Sequence, residues 1–154
     1  MKGEVTHIHI APTSEAGVAA VSEIRAVAGR GLEGDRYFEK LGAFSEKGGP
    51  GREATIVASE AIEAYESEYG VTLGDGGHRR NVTTRGIDVN ELVGVDFRIG
   101  EAVFRGVRLC EPCDHLQRVT GIESILPGLV RRGGLRCDVI QDGTIRVGDE
   151  IAPI

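Results

Sequence analysis

Apolar positions along this chain come in short runs that stop at glycine or at Gly-Asp and Asp-Gly steps. Glu4 to Ile10 alternates, with Ile8 and Ile10 on one parity, and reads as a half-buried strand. Ala54-Thr55-Ile56-Val57 is a brief β-type run, and Asn81-Val82-Thr83-Thr84 is β-branched up to Arg85-Gly86. Phe97-Arg98-Ile99, a Gly100-Glu101 turn and Ala102 to Leu109 predict a hairpin. Arg136 to Gln141 followed by Asp142-Gly143 and Thr144 to Val147 predicts a second, and Gly148-Asp149 sets off a last short strand at Glu150-Ile151. Helical signals are fewer. Ser59 is placed to cap Glu60 to Glu66, with an acidic first turn and a stop at Gly70. Asp88 to Leu92 predicts one turn and Pro112 to Val119 two. Many closely spaced strands and few helices predict a mainly β chain, a closed or nearly closed β-barrel with a few short helices, forming one domain over residues 1–154.

Composition sharpens this reading. Glycine supplies 23 of 154 residues without a collagen period, which fits many tight turns and bulges. Hydrophobic residues make up 40% and charged residues 27%, enough for a real core and too apolar for disorder. The net charge of −6 and an aromatic content of 5% with no Trp argue against a nucleic-acid partner, whether bound electrostatically or by base stacking. No run reaches the roughly 18 apolar residues of a membrane span, and the N-terminus lacks a signal-peptide pattern. With three cysteines, too few for a disulfide scaffold, the expected setting is a reducing cytoplasm, without a membrane.

The chemistry-bearing segment is Leu109-Cys110-Glu111-Pro112-Cys113-Asp114-His115. Pro112 suits the first position of a helix and Asp114 its first turn, which places Cys113 at a helix N-terminus. That position favours a thiolate, a nucleophile or soft metal ligand. His115, two residues further along a helix, is expected to point away from it. The Cys-x-x-Cys pair lacks the further ligands of a structural zinc site and the βαβ setting of a thioredoxin-like pair. Buried, unreactive cysteines are the plain alternative. Basic residues cluster twice, at His78-Arg79-Arg80-Asn81 after Gly74, Gly76 and Gly77, and at Arg131-Arg132-Gly133-Gly134-Leu135-Arg136. Guanidinium forks and flanking glycines suit a phosphate, though a solvated charged face accounts for either cluster alone. His7 and His9 share a strand face, as a solvated or core-edge pair rather than as ligands. Residues 30–52 are glycine-rich and irregular, which fits a surface loop or a flap over a site.

At these residues the sequence resembles the MOSC domain, the module named for the C-terminal part of molybdenum-cofactor sulfurases. Gly31-Leu32-Glu33-Gly34-Asp35-Arg36-Tyr37 is similar to the family's GDR-type motif. Arg79 to Thr84 with Gly86, Leu92 and Gly94 is similar to its central motif, and Gly100 to Cys113 to its cysteine motif. The resemblance implies a barrel-like fold and a reactive cysteine at Cys113. It further implies a molybdenum cofactor (molybdopterin), with Cys113 as the catalytic residue and metal ligand. Arg79, Arg80, Asn81, Thr83 and Arg136 would hold that cofactor. The implied activity is that of an oxidoreductase on N-hydroxylated or N-oxide substrates. The alternative is a non-catalytic carrier of sulfur or cofactor using Cys113 as persulfide or transfer site. Reducing relatives generally carry segments beside this core, so the expected partners are a small-molecule substrate or cofactor and an external electron donor protein. There is no lysine motif for pyridoxal phosphate.

Overall fold

The structure, a computed structural model, describes residues 1–40, 42 and 48–154. Eleven strands are present among the described residues: β1 (Gly3–Ile10), β2 (Ala19–Val21), β3 (Glu23–Val27), β4 (Gly31–Leu32), β5 (Ala54–Ala58), β6 (Val82–Arg85), β7 (Asp96–Ile99), β8 (Ala102–Leu109), β9 (Leu135–Gln141), β10 (Gly143–Arg146) and β11 (Glu150–Pro153). Seven of them close into a barrel in the order β1-β11-β7-β8-β9-β5-β6 and back to β1, with β2 added on β1. Closure removes the open strand edges that a flat sheet of this size would expose. The remaining strands form a small sheet in the order β10-β3-β4. The mainly β barrel expected from the pattern is the fold observed. Among the described residues its only parallel strand pair is β5 with β6, joined by α1 (Ser59–Tyr69), the crossover that a parallel pair requires.

The strand interiors follow from local chemistry. A register shift between Val5 and His7 on β1 puts Val5 and Ile8 both inside, where strict alternation would have split them. β5 is buried along its whole length because Ile56 faces the barrel core and Val57 faces a second core beneath the helices. That second core holds Ile62, Tyr65, Leu116, Ile125 and Leu129. It lies between α1, α2 (Asp114–Thr120) and α3 (Ile125–Gly128). Val89–Leu92 forms the single 3-10 turn expected there, capped by the Asp88 carboxylate on the Asn90 N–H.

Two local expectations are corrected. Ser59 does not cap α1: the cap is Ala58, because β5 runs straight into the helix and Ser59 is already its first residue. Gly70 does end it, at φ 65°. The Asp142-Gly143 step is a corner and not a hairpin, since β9 and β10 lie in different sheets. The Asp142 carboxylate is drawn to the Ala28 N–H at 2.7 Å, and Gly143 packs so closely on Glu101 and Ala102 that a Cβ would lie 2.4 Å from the Glu101 carbonyl carbon. The Gly100-Glu101 hairpin forms as expected, with Ile99 opposite Ala102. Strands β2, β3 and β4 carry no clear run in the sequence and were not foreseen. Within residues 30–52, Leu32, Asp35, Arg36 and Tyr37 are buried, so this stretch is in part core rather than surface loop. Residues 41 and 43–47 of the stretch expected as a loop or flap lie outside the described residues. No helix among the described residues is long and apolar enough to cross a membrane.

Candidate functional site

Strand pairing sets Ile8, Val82, Ile56, Leu135 and Leu109 level with one another at one end of the barrel. The loops leaving this end carry the chemistry. Arg36 and Tyr37 come from the turn after β4, Arg79 and Arg80 from the segment ahead of β6, Cys113 from the link between β8 and α2, and Arg136 from β9. Together with Glu111, His115 and Leu116 they line a cavity of about 30 Å³. All four arginines are buried in a protein of net charge −6.

Burying guanidiniums requires partners, and backbone carbonyls supply most of them. Arg80 donates from Nε to the Gly133 carbonyl at 2.7 Å and from Nη2 to the Cys110 carbonyl at 3.1 Å. It therefore ties the end of β8 to the segment entering β9. Gly133 makes this possible, since a Cβ there would sit 2.2 Å from the Cys110 oxygen. Arg79 takes the left-handed conformation, at φ 62°, and donates to the Ala16 and Ser14 carbonyls. Arg36 donates to the Arg79 carbonyl at 3.0 Å and to the carboxylate of Asp35 at 3.0 Å. Asp35 is fully buried and also accepts the Ala11 and Tyr37 N–H groups. The carbonyl bonds use up hydrogens without cancelling charge, whereas Asp35 offsets the charge of Arg36. Against four guanidiniums stand the buried Asp35 and, on the cavity wall, the exposed Glu111, so positive groups outnumber carboxylates among the described residues here. Burial pulls the Arg79 pKa down, with Arg36 adding to the effect. Burial also disfavours charge on Arg136, but Cys110, Tyr37 and Cys113 outweigh it and hold its pKa above the ordinary value.

The three cysteines are distinct. Cys137 is fully buried, its Sγ lies 3.5 Å from the Ala54 carbonyl, and burial pushes its thiol pKa well up. Cys110 is 1% exposed. Cys113 is half-buried, free of any disulfide and on the cavity wall. Cys113 is the residue that caps α2 and not its second helical residue: its backbone is extended, at φ −141° and ψ 169°, and its carbonyl accepts the Gln117 N–H. Helical spacing therefore does not separate Cys113 from His115, and both line the cavity. The His115 ring is engaged on both sides, Nε2 to the Ser14 carbonyl and Nδ1 to Arg118.

The residues singled out in the sequence thus divide. Cys113, Arg79, Arg80 and Arg136 meet at this cavity. Asn81 and Thr83 do not line it. Asn81 is fully buried, accepts from the Thr55 N–H and hydroxyl, and donates to the His9 carbonyl, so it knits β1, β5 and β6 together. Thr83 lines a different cavity with His7, His9 and His78. Arg36 and Tyr37 were not assigned to the site from sequence. Their signal was the Gly34-Asp35-Arg36 step itself, a carboxylate beside a guanidinium in an otherwise irregular segment.

Comparison with known proteins adds the family. The model of the MOSC domain matches residues 44–152. No curated protein matches the sequence significantly. Solved structures of similar fold include the YUAD protein from Bacillus subtilis, at TM-score 0.81 and 20% identity over 98% of this chain and 94% of that one. YiiM from Escherichia coli is similar at TM-score 0.73 and 21% identity, covering 100% of this chain and 70% of that one. YiiM from Geobacillus stearothermophilus gives 0.71 and 17%, covering 99% and 75%.

Proposed function

The chain belongs to the MOSC domain family, and on that premise we propose that it binds the molybdenum cofactor through Cys113 and acts as an oxidoreductase on N-hydroxylated or N-oxide substrates. One observation carries the reading: a half-buried free thiol set within a wall of four buried guanidiniums. The donor set suits the group, a soft sulfur for the metal and arginines for an anionic, phosphate-bearing ligand. When bound, the cofactor would supply the two-electron chemistry that takes oxygen from an N–O bond. The protein's own residues would bind and orient. Arg36, Arg79 and Arg80, fixed by their carbonyl partners, and Arg136 would present positive charge to an anionic ligand at the mouth of a cavity of about 30 Å³ that is too small to enclose it. Arg80 also fixes the Cys110 carbonyl, three residues before the sulfur. Electrons would come from an external donor protein, and the substrate would be a small molecule. The test is molybdenum content by mass spectrometry after expression in a host that makes the cofactor. Near-stoichiometric molybdenum that disappears in Cys113→Ala is the expected result. Molybdenum absent from both proteins, or equal in both, refutes the reading.

The cavity volume favours a second reading. About 30 Å³ is room for a water or one added sulfur atom beside Cys113 and not for a pterin. In this reading the Cys113 thiolate attacks the outer sulfur of a donor persulfide. The donor leaves as a thiolate, and Cys113 carries the transferred sulfur as a persulfide anion facing the arginines. The check is the mass of the Cys113 peptide after incubation with a persulfide donor. An added sulfur, removed by reductant, is expected on Cys113 and absent from Cys110 and Cys137. An unchanged Cys113 peptide rejects it.

A further inference from the structure

A second and larger cavity, of about 380 Å³, lies on the outer face of β1 and β6 against α1. Its walls include His7, His9, His78, Ile62 and Glu66, and it shares no lining residue with the Cys113 cavity. Hydrogen bonds assign the imidazole tautomers. His78 accepts the Arg80 N–H on Nδ1 at 2.9 Å, so its Nε2–H faces the Thr83 hydroxyl at 3.2 Å. Burial, with Arg80 and His9 adding to it, takes the His78 pKa down to about 3 and keeps the ring neutral.

His9 is 2% exposed, and its Nε2 lies 2.8 Å from the Asp75 carboxylate. The carboxylate fixes a proton on Nε2, so in the neutral ring Nδ1 is a bare acceptor. That Nδ1 is buried with no partner among the described residues, and an unmet acceptor of this kind is costly unless something fills it. His7 stacks on His9 with centroids 6.0 Å apart. The Thr6 hydroxyl donates to the Thr83 carbonyl, so it can only accept from His7 Nδ1–H, and His7 Nε2 also carries a lone pair. Three carboxylates line the same cavity, those of Glu63, Glu66 and Asp75, with no lysine or arginine among the lining residues. Glu63 is shared with Arg85 outside it, and Glu66 accepts the Leu73 N–H at 2.7 Å.

An acceptor that wants an N–H, a net negative wall and an apolar floor at Ile62 all specify one ligand chemistry. We propose that this cavity binds a small organic ammonium ion, its N–H groups donating to the histidine lone pairs and carboxylates and its apolar body lying against Ile62 and the imidazole faces. A metal ion fits less well, since no three of the His, Cys, Asp and Glu residues among those described are arranged to hold one.

Phenethylamine is titrated into the whole protein while the imidazole C–H signals are followed by NMR. Phenethyl alcohol serves as the neutral control and zinc ion alone as the metal control. Saturable shifts of the His7 and His9 signals are expected, with a Kd of about 1 mM. Asp75→Asn keeps an acceptor for His9 and Glu66→Gln keeps one for Leu73, so both variants should fold and each should weaken the amine about tenfold. Cys113→Ala should bind as the unaltered protein does. The proposal is overturned if the amine does not saturate by about 20 mM, if the alcohol shifts the same signals equally, if both variants bind unchanged, or if zinc saturates the histidines while the amine does not.

Discussion

Arg80→Met tests whether the arginine wall is also the strut of this end of the barrel. The substitution keeps the apolar stem and removes two charge-assisted bonds, to Gly133 at 2.7 Å and to Cys110 at 3.1 Å. Bonds from a charged donor contribute about 1.5–3 kcal/mol each, and both carbonyls would be left without this donor in a buried setting. The gross loss is therefore about 3–6 kcal/mol. Removing one charge from among Arg36, Arg79 and Arg136 returns about 1–2 kcal/mol through relieved repulsion. The net expectation is a loss of about 2–4 kcal/mol, or a fall in Tm of roughly 5–15 °C for a chain of this size. Urea denaturation followed by circular dichroism measures it, with the midpoint lowered and the slope unchanged. Arg80→Lys should lose most of the same stability, because an ammonium cannot span both carbonyls as a planar fork does. A Met variant within about 0.5 kcal/mol of the unaltered protein would refute the reasoning and return Arg80 to the role of a free ligand-binding cation.

His78 predicts a pH dependence. Its folded pKa of about 3 lies below the unfolded value near 6.5, so the unfolded chain binds the extra proton between those limits. Stability should be constant in this respect above pH 6.5 and fall as the pH drops below it, by at most about 1.4 kcal/mol per unit. His78→Asn, which keeps an acceptor for the Arg80 N–H, should flatten the slope between pH 6.5 and 5 in denaturation midpoints, and an unchanged slope would assign the effect elsewhere. The cysteines should separate in native alkylation followed by peptide mass mapping. Cys113 should react first, and Cys110 and Cys137 only on unfolding, because they are 1% and 0% exposed. Equal labelling of all three would contradict the burial pattern.

The sequence by itself determined the strands whose side chains alternate or whose ends are marked by turn residues, the helix ending at Gly70, the Gly100-Glu101 hairpin and Cys113 as the cysteine to single out. Each of these is local: period, cap and turn chemistry act within a few residues. It also held the arginines Arg79, Arg80 and Arg136, because charge clusters are visible in one dimension. Only the tertiary structure decided what those side chains face. Asn81 and Thr83 adjoin Arg80 in sequence, yet the strand pleat and the Asn81 bonds to Thr55 and His9 turn them to the interior and to the opposite cavity. Arg36 reaches the site across 43 residues of chain to the Arg79 carbonyl, a contact that no local pattern encodes. Asp142-Gly143 had the chemistry of a hairpin, but packing against Glu101 and Ala102 sent β10 to another sheet. The histidine cavity likewise exists because closing the barrel brings His78 beside His9. Local preference sets which segments become strands, and the pairing that closes the barrel sets which side chains share a cavity.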